Sequence, residues 1–494
     1  MTLHGSRVSA PLIQLFRHVV GQNDPRDPAR RDAADRGAST RRAAAWIAAI
    51  AALGAPLPAR APTLTLADAL GRAEQHAFGN RIADAGAATQ AAQATSALEG
   101  ILPTVRFEGG WVRTNDPIGA FGTTLRQRRI AQQDFDPARL NYPAAVTNYA
   151  GAVVLQQPLF NAAAHIGRRA ANHAADAALV SADWTRSGTR VEVVRAYFGA
   201  MLAAEKAATL EAAHRAAQGH LEQAGKVVRA GLATRSDELL AQVRAGEVET
   251  QLVEARAEAA LALRQLALVL GTPGDTLRVP AQLPSAAAIR QLFDELQSAS
   301  AVERSDVKQA GLGARAARMD VQRALSLYLP RFNAFARYDW NSASGPFDGD
   351  ENWSVGVMAS WTPFAGASEW AERQAATGRQ DAARAGLEAA RAQAQLELEA
   401  ATVRRDVARL RLDMAERAAE QSREAHRIVA RKYDGGLATV LELLDAAAVE
   451  TQSGLALSLA RYTGITTEAE WRRALGLDPA GIATILDTTH PRTD

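Results

Sequence analysis

Between Phe160 and Pro273 the chain has no proline, and the clearest helix stop in that span is Gly231. Ala, Leu, Glu, Arg and Gln fill the interval, with apolar residues at three- and four-residue steps. That pattern predicts one helix of about 70 residues, roughly 100 Å at 1.5 Å per residue. A second such helix is expected from Ser368 to Gly435. Helices this long cannot fold into a compact globule, so coiled-coil packing is expected, with small residues letting the axes approach closely. The seam is expected along Leu396, Ala400, Val403, Val407, Leu410 and Met414, and again along Leu441, Leu444, Ala448, Thr451 and Leu455.

The chain also repeats. GLATRSDELL from Gly231 returns as GLATVLELLD from Gly436, 205 positions later. The same offset of 205 relates Pro158 of QQPLF to Pro363 of WTPFAG, and Leu270-Gly271 to Leu475-Gly476. Leu102-Pro103 and Leu329-Pro330 are 227 apart, so the first copy carries 22 extra residues, which must lie in a loop. Each copy reads as helix, strand, strand, long helix, turn, helix. The expected division is a leader at 1–61, a first repeat at 62–271, an equatorial linker at 272–300, a second repeat at 301–476 and a C-terminal tail at 477–494.

Four segments alternate with a period of two. Val105, Phe107, Gly109 and Trp111 oppose Thr104, Arg106, Glu108 and Gly110, while Tyr149, Val153 and Leu155 oppose Asn148, Ala150, Ala152 and Gln156. In the second copy Phe332, Ala334, Ala336, Tyr338 and Trp340 oppose Asn333, Phe335, Arg337 and Asp339. Trp353, Val355, Val357, Ala359 and Trp361 oppose Ser354, Gly356, Met358 and Ser360. Strands of about ten residues with an apolar face and aromatics near their ends suit a transmembrane β-barrel. A half-buried antiparallel sheet shows the same alternation. Four strands cannot close a barrel, and open edges in a bilayer cost several kcal/mol per unpaired backbone group. Subunits would therefore have to pool strands, with the long helices projecting from one end. Connections 114–147 and 341–352 would lie at the opposite end, the first of them holding the surplus.

The formal charge of +2 is unevenly spread: residues 1–61 hold nine Arg and four Asp, a net of +5, which leaves −3 for the remainder. No basic, aromatic-interleaved patch points to nucleic acid, and no nucleic-acid partner is expected. The absence of cysteine excludes disulfides, thiolate metal sites, a cysteine nucleophile and a lipidated N-terminal cysteine. Arg41-Arg42, the 15-residue apolar run from Ala43 to Leu57 and Ala59-x-Ala61 have the layout of a secretory signal. A transmembrane anchor needs about 20 apolar residues, and nothing later supplies such a run. Pro62 follows the candidate cleavage site and 40 residues precede the basic pair, so the start of translation is expected downstream of Met1.

Taken in order, these landmarks resemble the TolC-type outer-membrane channel proteins, the outer membrane factors. The resemblance covers roughly residues 64–476 and rests on TLTLADAL, the two Leu-Pro strand starts, QQPLF, VEVVRAYFGAMLAAEKAATL, the two Gly-Leu-Ala-Thr turns and the two Leu-Gly closures. It implies an α plus transmembrane β fold: a trimeric twelve-stranded β-barrel, four strands per protomer, continued by a coiled-coil helical barrel across the periplasm. It further implies an outer-membrane exit duct of a tripartite efflux pump or type I secretion system. The implied partners are two more copies of itself, a periplasmic adaptor (membrane fusion) protein, an inner-membrane pump of RND or ABC type, and outer-membrane lipid.

The doubled turn has a physical reading of its own. Gly231 and Gly436 supply the left-handed residue that ends a helix. Thr234 with Asp237, and Thr439 with Glu442, have capping-box spacing, which is a purely structural use for both acids. The resemblance adds that Gly231, Leu232, Ala233 and Thr234, with Gly436, Leu437, Ala438 and Thr439, form the periplasmic tip on which the adaptor docks. Tyr433 resembles a constriction tyrosine, Glu442 and Asp445 an acidic pair lining the entrance, and Asp237 a tip aspartate that ties neighbouring helices. Three apart, Glu442 and Asp445 share a helix face. In three copies their carboxylates would ring the pore, favour cations and raise their own pKa values by repulsion. Arg461 matches an arginine of the last long helix. It is turned roughly 160° from Asp445, toward neighbouring helices, as a clamp between coils or as a solvated surface residue. Ala438 stands where some members carry an arginine that pairs with the tip aspartate, which leaves that latch without its cation.

No catalytic site, cofactor or metal is expected. Gly311-Leu-Gly-Ala-Arg-Ala has dinucleotide-fingerprint spacing, but Glu-Arg-Ser-Asp-Val-Lys precedes it where a buried strand is needed. The nine histidines show no paired metal spacing, and His165 and His173 read as surface positions. The rivals to a channel are a soluble or periplasmic coiled-coil scaffold or stalk carrying a small sheet, and an outer-membrane adhesin without transport.

Overall fold

A computed structural model describes residues 63–231, 234–295, 300–346 and 348–487. The signal-like segment at 41–61 and the turn residues Leu232 and Ala233 lie outside them. The chain enters through α1 (Leu66–His76) and α2 (Phe78–Ser96), passes through β1 (Thr104–Thr114), α3 (Pro117–Arg126), α4 (Pro137–Asn141) and β2 (Val146–Phe160), and continues into α5 (Ala162–Arg229) and α6 (Arg235–Val269). After α7 (Ala286–Glu295) the order recurs: α8 (Ser305–Ser326), β3 (Arg331–Ser342), β4 (Asp350–Ser360), α9 (Ser368–Asp434) and α10 (Val440–Ala474). A short α11 (Ala483–Leu486) follows. The two long helices, α5 and α9, have 68 and 67 residues, so the expectation from proline spacing holds in both copies. The glycines of the 311–316 fingerprint sit inside α8, and the described residues just before it, 300–304, are not strand.

Alanine lets the long helices pack closely. Ala217 and Ala224 of α5 and Ala241, Ala245 and Ala255 of α6 are buried, so the coil spends little volume on side chains. The expected seam on α9 is on a different face from the one its own protomer covers. Ala376, Ala401, Arg405, Ala408, Leu412, Ala419 and Ser422 are the buried residues of α9, whereas Leu396, Val403, Val407, Leu410 and Met414 are exposed. An Ala-rich stripe therefore faces inward along this helix, and a stripe of large apolar residues is left largely exposed on another face. On α10 the expected row is mixed, with Leu444 buried and Leu441 exposed.

The four strands form one antiparallel sheet in the order β1-β2-β3-β4. The register sets Trp111 beside Tyr149, Phe107 beside Val153, Val153 beside Tyr338 and Tyr338 beside Trp353, so one face is continuously apolar. That face is uncovered: Phe107 is 77% exposed and Trp353 74%. The other face is polar, with Arg337 bridging Glu108 at 2.9 Å and Asp339 at 3.6 Å. The 22-residue surplus is not plain loop, since the connection from β1 to β2 contains α3 and α4, their N-termini capped by Asp116 and Asp136. Gln127, buried just past α3, anchors this insert to the polar face: its amide donates to the Thr147 carbonyl at 2.8 Å and to Asn148 Oδ1 at 2.9 Å. Asn148 in turn donates to Asn341 Oδ1 at 2.9 Å.

Away from the sheet, the principal core gathers Leu66 and Leu70 of α1, Val193, Phe198 and Met201 of α5, Leu266 of α6, Ile289 and Phe293 of α7, and Ile465 of α10. Tyr197 joins it, its hydroxyl donating to the Leu64 carbonyl at 2.9 Å. Burial, and then the charges of Asp487 and Asp68, push its ionisation well above the usual range.

Candidate functional site

The doubled phrase forms two helix hairpins. Gly231 and Gly436 take φ +76° and +70°, the left-handed conformation that ends α5 and α9. Gly436 and Leu437 donate to the carbonyls of Tyr433 and Lys432 at 3.0 and 2.8 Å, closing the last turn of α9. Both restarts are reciprocal caps. Thr234 Oγ1 accepts from the Asp237 amide at 3.3 Å, while Asp237 Oδ2 accepts from the Thr234 amide at 2.9 Å. Thr439 Oγ1 accepts from the Glu442 amide at 3.2 Å, and Glu442 Oε2 accepts from the Thr439 amide at 2.7 Å and its hydroxyl at 3.0 Å.

These bonds set the electrostatics of the two acids. The Thr234 amide, then its hydroxyl, hold the Asp237 carboxyl below the usual range, and Thr439 does the same for Glu442. Within the protomer the direction for Glu442 is thus opposite to the rise expected from a ring of like charges, because the cap acts on its own carboxylate directly. Glu442 and Asp445 are both exposed, and Leu443 and Leu444 between them are buried, so their shared face is one that the protomer leaves open to solvent. Asp445 also has a cation nearby that spacing did not reveal: Arg244 of α6 lies 3.8 Å away while holding Glu247 at 2.8 Å.

Tyr433 is half-buried against a small tip core of Ala224, Ala241, Val440 and Leu444. Desolvation, then the charges of Asp237 and Asp434, raise its ionisation above the usual range. Its ring is thus seated in its own hairpins, on the same side as Asp237. Exposed Leu437 stands at the apex of the second turn, 82% accessible, with Ala438 beside it half-buried.

Arg461 lies farther from the tip and faces α5. Its Nη2 is 2.9 Å from Glu205 Oε1, and both side chains are largely shielded. Glu205 also accepts from Ser458 Oγ at 2.6 Å and, through Oε2, from the Leu283 amide at 2.7 Å, so one carboxylate joins α5, α10 and the linker. A second ionic knot went unread in the sequence: Glu468 lies between Arg405 and Arg472, and Arg405 stacks over Trp471 at 4.0 Å. Glu468 and Arg472 are four apart on α10, but Arg405 lies 63 residues away, and a contact at that distance carries no local signature. Among the described residues, no three metal-ligating side chains cluster.

An antiparallel four-stranded sheet with a bare apolar face, carried on two pairs of helices whose long members exceed 60 residues, defines the protomer of an outer-membrane channel. The model of the outer membrane efflux protein family matches residues 88–272 and 296–477, and the chain belongs to that family. It is accordingly a protein of the outer membrane that extends into the periplasm. The fold is that of the Campylobacter jejuni CmeC outer membrane channel, with a TM-score of 0.68 at 16% identity over 83% of this chain and 85% of that one. VceC of Vibrio cholerae matches with a TM-score of 0.66 at 19% identity over 83% of this chain and 96% of that one. In sequence the chain is 26% identical over 249 residues to the alkaline protease secretion protein AprF of Pseudomonas aeruginosa, 47% of this chain and 50% of AprF. It thus spans about half the length of that curated relative.

Proposed function

We propose that three copies pool their sheets into one barrel and that the assembly is the passive exit duct of a tripartite exporter. The supporting observation is the uncovered apolar surface. The sheet bares an apolar face and leaves β1 and β4 as open edges, and α9 bares its stripe from Leu396 to Met414. Neighbouring copies pair the edges, lipid covers the sheet, and adjacent coils cover the stripe. The tip hairpins, with Leu437 at the apex, dock a periplasmic adaptor, and an inner-membrane pump supplies the cargo. Glu442 and Asp445 line the entrance, Tyr433 and Asp237 brace it, and Arg461 on Glu205 locks the coils above it. The repeats at 62–271 and 301–476 then supply the outer and inner coils, joined by the 272–300 linker.

The name of AprF speaks of protease secretion and that of the family of efflux, so polypeptide export is the second reading of the cargo. Either cargo passes the same entrance. Changing Glu442 and Asp445 together to Ala is expected to lower cation selectivity several-fold in bilayer recordings. Unchanged selectivity would remove both residues from the pore.

A further inference from the structure

Besides the capped turns, side-chain contacts join α5 to α9 close to the tip hairpins. Just above them, Gln223 of α5 donates to Asp434 Oδ1 of α9 at 3.0 Å. Three residues before Gln223, His220 meets His426 of α9, the ring centroids 6.1 Å apart and the planes at 79°. Glu450 of α10 lies 2.5 Å from His426 Nδ1, and Arg423 is 3.8 Å from its other oxygen. The Nε2 atoms of both histidines are buried and have no hydrogen-bond partner.

That arrangement suits a neutral His220, whose buried Nε2 has no acceptor and which faces the His426 ring, whereas the Glu450 carboxylate can accept from either form of His426. A protonated imidazole donates from both nitrogens, so charging His220 buries a donor with no acceptor against the His426 ring across the α5–α9 contact. The surrounding charges are mostly engaged elsewhere. On α9, Asp434 is the one carboxylate that favours a charged His220, and it is already taken by Gln223, while Arg427 holds Glu424. On α10, Glu450 is committed to His426 and Arg423. On α6, Arg244 is closed on Glu247 and Asp445, and on α5 His214 turns to Gln218.

We propose that His220, packed on the His426 ring, is a proton-operated latch holding α5 against α9 above the tip, closed while the His220 ring is neutral and released when it is protonated. It rests on the reading of the tip as the channel's gate. Burial, then His426, push the His220 pKa below the ordinary imidazole value, with Asp434 partly offsetting them. A base so depressed stabilises the closed form fully above the ordinary value of about 6.5, and that contribution is lost as pH falls below it toward the lowered folded value.

The test compares wild type with His220→Gln/His426→Gln in planar bilayers, acidifying the tip side from about pH 7.5 to about pH 5.5, across the histidine range. Wild-type conductance is expected to rise several-fold and that of the double variant to stay level. Both proteins keep Glu442 and Asp445, so their difference isolates the imidazoles. A level wild type, or a double variant that keeps the rise, overturns the latch; no conductance from wild type at any pH overturns the gate reading beneath it. Hydrogen exchange on wild type alone gives a second measure. Amides at 214–226 and 421–434, corrected for intrinsic rate, are expected to exchange about tenfold faster relative to α1 at the lower pH, and equal protection at both pH values overturns the latch.

Discussion

Glu468 has no solvent exposure, and its two oxygens face Arg405 Nε at 2.6 Å and Arg472 Nε at 3.4 Å. Arg405 also donates to the Phe293 carbonyl, and Arg472 reaches Glu295 at 2.7 Å, so this knot ties α7, α9 and α10 together. Removing one partner of a buried pair strands the other charge, at a cost of about 3–5 kcal/mol. Glu468→Ala is therefore expected to lower the unfolding free energy by about that much, read as a shift in the urea midpoint with an unchanged slope. A change within about 0.5 kcal/mol, the usual range for surface substitutions, would mean that the two arginines are satisfied without it.

Among the elements, the turns show what can and cannot be read from sequence. Gly231, Gly436, Gly271 and Gly476 all take positive φ, and all four stood out as repeated landmarks. Their surroundings differ. A Cβ on Gly231 meets nothing within 4 Å, whereas one on Gly271 lies 2.0 Å from the His76 carbonyl oxygen and one on Gly476 lies 2.7 Å from that of Val302. Gly231→Ala is expected to cost only the left-handed strain, about 1–2 kcal/mol. Gly271→Ala carries the same strain plus a clash with the end of α1, so its loss of thermal stability is expected to be clearly the larger. Equal melting temperatures would refute that packing. The long helices, the strands and the caps at Thr234 and Thr439 were legible because each depends on spacing within a few turns. The partners of Arg461 and Asp445, namely Glu205 and Arg244, were not, since each lies on another helix about 200 or more positions away. The helices α3 and α4 were missed because they are short and lie inside an apparent loop. The stripe on α9 was read correctly as apolar, but periodicity does not say which partner covers it.

At the scale of the whole molecule, the protomer is incomplete as a soluble body. Its sheet bares aromatic and branched residues on one face and unpaired backbone on β1 and β4, and α9 bares Leu396, Val403, Leu410 and Met414. A soluble scaffold would have to hide all of these surfaces by some other means, whereas one three-fold assembly in a bilayer covers each of them. The decisive measurement is single-channel recording of the protein purified from the outer-membrane fraction, with its migration checked on unheated gels. A heat-modifiable trimer that gives discrete, cation-selective conductance steps is the expected result. Soluble monomer, or a trimer that never conducts, would contradict the reading of this chain as an exit duct.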